Sequence, residues 1–141
     1  MRTLGIDYGD SRVGIAITDA LGITAQGIET LQTQGSDKIV LRKLDEILEK
    51  YNNEVDTIVV GLPLNMDGTE GFRVDITKKF IDKLKCKYGS HIKIETVDER
   101  LTTVQAHKTM NFLGVKNSKK RGIVDTISAV YILETYMNKK K

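Results

Sequence analysis

Apolar and polar positions along the first thirty residues alternate in short runs separated by turn formers. Leu4-Gly5-Ile6 runs directly into Asp7-Tyr8-Gly9-Asp10, which reads as a strand followed by a turn cluster. Residues 13–18 form a second apolar run, and the short link between the two predicts an antiparallel hairpin, since a parallel return needs a longer crossover. A third strand is predicted within residues 24–30, after Gly22. From Ser36, the predicted N-cap, the spacing turns helical, with Val40, Leu44, Ile47, Leu48 and Tyr51 on one face and Asn52-Asn53 as the stop. Residues 57–60, β-branched throughout, predict a buried strand closed by Gly61. A second helix over 70–88 carries Ile76, Phe80, Ile81, Leu84 and Tyr88 as its stripe, and a fifth strand is predicted over 92–97. Thr102 and Gln105 have capping-box spacing and open a third helix toward Leu113. Residues 116–122 read as a basic loop, and 123–137 as a largely buried last helix.

The order βββ-α-β-α-β-α-α predicts an α/β fold: a five-stranded mixed sheet flanked by helices, its first three strands an antiparallel meander. Right-handed crossovers make strands one, four and five parallel neighbours. A chain of 141 residues suits one domain, taken as 1–138, with a frayed basic tail at 139–141. No apolar run approaches the roughly 18 to 20 residues that cross a bilayer, and the first residues show no secretory pattern. One cysteine, Cys86, fits a reducing cytoplasm. With two histidines and that one cysteine, zinc is disfavoured, so any metal would be held by carboxylates, which points to Mg²⁺ or Mn²⁺.

The net charge of +3 conceals an asymmetry. Residues 1–70 carry 6 Lys/Arg and 12 Asp/Glu, a net of −6, whereas residues 71–141 carry 16 and 7, a net of +9. A basic half suits a phosphate backbone, because neutralising phosphates releases counterions; it equally suits a solvated lysine-rich helix face.

Ligands of such sheets collect outside the carboxyl ends of the parallel strands. Asp7 ends strand one and Asp98-Glu99 ends strand five on that edge, and Asp125 falls in the predicted first turn of the last helix. Three carboxylate sources converge there, as metal-assisted phosphodiester hydrolysis requires. Asp7 could instead make an Asx-turn, and Asp125 could merely complement the helix dipole. Strand alternation sends Asp98 and Glu99 to opposite faces, leaving one of them as a ligand. Arg12 and Arg100 follow candidate ligands closely and could clamp a phosphate or neutralise the acids. Asn65 and Asp67 lie beyond strand four on the same edge, and Lys119, Lys120 and Arg121 bring positive charge just before Asp125.

Gly5-Ile6-Asp7-Tyr8-Gly9 with Arg12-Val13-Gly14-Ile15-Ala16 and Asp19 resembles the opening of the YqgF (RuvX-like) family. The stretch from Val60-Gly61-Leu62-Pro63 to Thr69-Glu70 is similar to that family's central loop, Asp98-Glu99-Arg100-Leu101-Thr102-Thr103 to its third signature, and Asp125 with Ser128-Ala129 and Ile132-Leu133 to its closing helix. Ser128 stands where family members often have Ala. The resemblance implies an RNase H-like fold of the Holliday-junction-resolvase kind, in the bacterial cytoplasm. It also implies a nuclease role in processing the 5′ end of pre-16S rRNA, with Asp7, the Asp98-Glu99 pair and Asp125 as the acidic set. Precursor rRNA and branched DNA both remain as substrates. An ATP-binding protein of the actin and sugar-kinase type is disfavoured, because that class needs two such domains. A non-catalytic nucleic-acid-binding module is disfavoured because clustered acids repel phosphate.

Overall fold

The β-branched runs assemble into one twisted sheet in a computed structural model that describes residues 1–64, 70–98 and 117–139, the last stretch by backbone alone as far as 125. In chain order the elements are β1 (Arg2–Tyr8), β2 (Arg12–Thr18), β3 (Ala25–Gln32), α1 (Asp37–Lys50), β4 (Val55–Leu62), α2 (Phe72–Tyr88), β5 (Lys93–Asp98) and α3 (Asn117–Lys139). The sheet order is β3-β2-β1-β4-β5. β1–β2 and β2–β3 are antiparallel, and β4 pairs parallel with both β1 and β5, as the sequence predicts. The helix predicted from Thr102 toward Leu113 lies outside the described residues.

Strand alternation divides the core into two layers. Leu4, Ile6 and Tyr8 of β1, with Val13, Ile15 and Ile17 of β2 and Ile58 and Val60 of β4, pack against the apolar stripes of α1 and α2. The opposite face is covered by α3. There Ala16 meets Ala129 and Leu133, and Val59 and Val97 meet Ile132 and Tyr136. Two strand glycines let α3 lie this close: a Cβ on Gly5 would stand 2.6 Å from Leu133 Cγ and 2.9 Å from the Ala129 carbonyl oxygen, and one on Gly27 would stand 2.2 Å from Thr126 Cγ2.

Two boundaries and one capping contact differ from the sequence expectation. Asp7 and Tyr8 belong to β1, paired with Gly14 and Val13, so the turn is only Gly9 to Ser11. Ser36 occupies the N-cap with extended backbone but makes no side-chain capping bond; Asp37 supplies the first-turn negative charge instead. The segment read as a loop is helical from Asn117 onward. Gly122 looks like a breaker, yet an interior glycine costs only about 1 kcal/mol against Ala, and Lys119, Lys120 and Arg121 are good helix formers.

Two tyrosines join α1 and α2. The Tyr8 hydroxyl donates to the Asp37 carboxylate, which also holds Lys83 Nζ at 2.7 Å, and the Tyr8 ring stacks on Phe80 at 4.4 Å between centroids. The Tyr88 hydroxyl donates to Asp45 Oδ1 at 2.6 Å, and Lys87 Nζ lies 2.6 Å from Asp45 Oδ2. Burial first, and the hydrogen bond to the neighbouring aspartate second, push both phenols well above their ordinary pKa. An unfolded tyrosine ionises near pH 10. The stabilisation is therefore complete below about pH 10 and declines above it, because the unfolded chain loses its protons first. Urea unfolding of wild type should weaken between pH 9 and 11 more steeply than that of Tyr8→Phe/Tyr88→Phe. At pH 7 each substitution should cost about 1.5 kcal/mol, the value of a hydrogen bond to a charged group. Parallel pH profiles for the two proteins would refute this account.

Candidate active site

The sheet register sets Asp7 in a row. Asp7 pairs with Gly14 and Gly14 with Thr30, so the three positions share the α3 face across β1, β2 and β3. Gly14 leaves the middle of that row without a side chain. At its end, Thr30 Oγ1 and Thr126 Oγ1 lie 2.6 Å apart, a hydrogen bond that ties β3 to α3. Arg12, two residues before Gly14, falls on the same face. The β1–β2 turn is held by the Gly9 amide donating to the Arg12 carbonyl at 3.0 Å. The Thr33 and Gln34 amides donate to the Ser11 carbonyl at 2.9 and 3.2 Å, anchoring the strand end that carries Asp7 to the start of α1.

Asp98 behaves differently. Its partner in the ladder is Leu62, which packs with the α1–α2 layer, so Asp98 lies on the face opposite Asp7. Ile6 pairs with Val60, which sets Asp7 level with Gly61 and Val97, one step below Asp98. Glu99, Arg100, Asn65 and Asp67 lie outside the described residues, as do the side chains of Lys119, Lys120, Arg121 and Asp125.

The backbone of α3 nevertheless locates position 125. The helix descends antiparallel to β1, with Thr126 beside Gly27 and Thr30, Ala129 beside Gly5, and Tyr136 lining a groove with Thr3 and Thr57. Position 125 is one turn above Ala129, about 6 Å along the axis. Asp7 is two residues above Gly5, about 6.8 Å along the strand. The two positions therefore come to one level of the sheet. Position 125 is also eight residues beyond Asn117, in the third helical turn. The first-turn placement expected from sequence is thus corrected, and with it goes the helix-dipole explanation, since that effect fades within the first turn.

Among the described residues no three His, Cys, Asp or Glu side chains gather into a metal-binding group. What the described part contributes is one hard oxygen donor, Asp7, half-buried on a central strand, which suits Mg²⁺ or Mn²⁺ in chemistry. The groove lined by Met1, Thr3, Thr18, Asp56, Thr57 and Tyr136 lies at the amino edge, the other end of the sheet from Asp7. The Thr30–Thr126 tie was missed from sequence: two threonines 96 residues apart carry no local signal.

A five-stranded mixed sheet in this order, with an acid on the central strand and a helix crossing its face, defines the RNase H-like class. Solved structures agree at the level of fold. Thermus thermophilus RuvC superposes with a TM-score of 0.57 at 15% identity, over 99% of this chain and 96% of that one. The fowlpox virus Holliday junction resolvase gives 0.55 at 18%, over 99% of both. A family model described as RuvX, Holliday junction resolvase, matches residues 1–139. A protein of Ruminiclostridium cellulolyticum named "Putative pre-16S rRNA nuclease" is 52% identical over 139 residues, 99% of this chain and 95% of its own length. One of Acetivibrio thermocellus with the same name is 50% identical over 140 residues, 99% of this chain and 97% of its own length. The chain belongs to the RuvX family.

Proposed function

We propose that this RuvX-family chain is a metal-dependent nuclease that hydrolyses phosphodiester bonds at the 5′ end of pre-16S rRNA. The observation that carries the reading is the alignment of Asp7 with position 125 on one face of the sheet. The names of the relatives at 52% and 50% identity supply the substrate. Asp7, Glu99 and Asp125 would hold Mg²⁺ or Mn²⁺; Asp98, on the opposite face, would act by fixing the chain that leads into Glu99. The bound cation would supply activation of water and charge stabilisation at the displaced oxygen.

The chain's own residues do the rest. Arg12, on the Asp7 face, and Arg100 would grip the phosphate through the guanidinium fork, while Asn65 would orient it. Lys119, Lys120 and Arg121, helical rather than in a loop, would add positive charge at the start of α3 for contact with the substrate backbone. The covering of the sheet face by α3 keeps water away from the lower side of Asp7. No helix among the described residues is long and apolar enough to cross a membrane, and the reading assigns the reaction to the cytoplasm.

A second reading is cleavage of four-way DNA junctions, favoured by the description of the matching family. The deciding experiment measures cleavage of precursor rRNA and of a four-way DNA junction, each with and without Mg²⁺. The proposal expects Mg²⁺-dependent cutting with the rRNA cut faster. Much faster junction cleavage would replace the first substrate by the second, and robust cutting without metal would sink the metal-nuclease reading altogether.

A further inference from the structure

Phe72 opens α2 with 78% of its surface exposed, the one aromatic among the exposed large apolar side chains of the described residues. The other aromatic positions on α2, Phe80 and Tyr88, are buried. An uncovered aromatic ring gains from whatever flat, apolar surface reaches it.

Its place in the fold selects that surface. Phe80 stacks on Tyr8, the residue after Asp7, and so marks the level of the carboxyl edge. Phe72 is eight residues earlier on α2, about 12 Å further along the axis. It therefore stands past the carboxyl edge of the sheet, at the end of the α1–α2 layer, where the sheet no longer separates that layer from the Asp7 face. The platform is held in place: Lys78 Nζ lies 2.7 Å from Glu70 Oε1, pinning the approach to the helix, and the buried Thr77 hydroxyl donates to the Arg73 carbonyl at 2.9 Å. Arg73 beside it is exposed, and Lys79 lies two turns further along α2; Lys78 is paired with Glu70, and the exposed Asp75 also sits in the first turn.

We propose that Phe72 is a stacking platform for an unpaired base of the substrate, next to the cleavage site. The inference rests on the nuclease reading and narrows its substrate class. Bases inside a duplex are already stacked on both faces and cannot use the ring, whereas a single strand can offer one. The enzyme would therefore require unpaired nucleotides flanking the scissile bond, held by the Phe72 ring and by Arg73 beside it.

The test uses the full chain in Ca²⁺, with a short single-stranded RNA containing 2-aminopurine and a fully paired RNA of the same length. Phe72→Ala should weaken single-strand binding by about 5- to 150-fold, the range for losing one base–aromatic stack. It should also remove the stacking quench of 2-aminopurine, with duplex binding and the unfolding midpoint unchanged. Phe72→Trp should restore both signals. Unchanged single-strand affinity in Phe72→Ala, equal losses on both RNAs, or failure of Phe72→Trp to restore the quench would each overturn the platform. Mg²⁺-dependent cutting by the same preparations separates this failure from failure of the nuclease reading: intact cutting with no Phe72 effect removes the platform alone. A wild type that binds neither RNA removes both.

Discussion

Replacing Asp7 with Asn should lower Mg²⁺-dependent cleavage by more than about 100-fold without lowering the midpoint of urea unfolding. The substitution keeps the shape and one oxygen of the side chain, so packing against the Gly14 row is preserved and only the negative charge is lost. Even groups that merely orient a metal ligand contribute about 10- to 100-fold, and a ligand should contribute more. Metal binding offers a readout independent of cutting. A cation that binds the folded chain raises its stability by mass action, so Mg²⁺ should raise the thermal midpoint of wild type and leave that of Asp7→Asn unmoved. Asp98→Asn is the matched comparison, because Leu62 fixes Asp98 on the opposite face; as a group that only orients the chain leading into a ligand, its loss should cost about 10- to 100-fold, less than that of Asp7. Equal losses at Asp7 and Asp98 would refute the assignment of faces, and an unaffected Asp7→Asn rate would refute the metal site.

Gly5→Val should destabilise the fold by about 3 kcal/mol, at the upper end of what overpacking a close-packed core costs, lowering the thermal midpoint by about 10 °C. The added Cβ alone would stand 2.6 Å from Leu133 Cγ, which can rotate away, and 2.9 Å from the Ala129 carbonyl oxygen, which cannot. Relief requires α3 to lift from β1, and α3 carries Asp125 one turn above that contact. Cleavage at a temperature where the variant is still folded should therefore fall further than the folded fraction does. Thermal unfolding by circular dichroism and initial cleavage rates measured on one sample check both parts. A variant within about 1 kcal/mol of wild type and fully active would show that α3 does not set the site.

Much of this architecture was legible along the chain. Strand and helix periods read from Leu4-Ile6, the residues 57–60 and the Val40–Tyr51 stripe yield the right elements in the right order, because each buries one face against a neighbour. The short link after Asp7 forces a hairpin, and the right-handed crossover rule then leaves one arrangement for β1, β4 and β5. Boundaries were less legible. Tyr8 looks like a turn residue beside Gly9, yet its ring stacks on Phe80 and its hydroxyl reaches Asp37, contacts that extend β1 by two residues. Gly122 looks like a break, yet the helix runs through it.

The sequence by itself determined the α/β class, the antiparallel opening, the parallel neighbours of strand one and the positions of Asp7 and Asp98 at the carboxyl ends of their strands, and its motifs resembled those of the RuvX family. These follow from local spacing and from residues adjacent in the chain. Only the tertiary structure decided which acids share a face. Asp7 faces α3 and Asp98 faces away, because ladder register, a long-range property, sets the phase of alternation in each strand. It also moved Asp125 from a helix start, where the dipole could explain it, to the third turn at the level of Asp7. The exposure of Phe72 was likewise hidden, since the burial of a residue at a helix start depends on where the sheet beneath it ends.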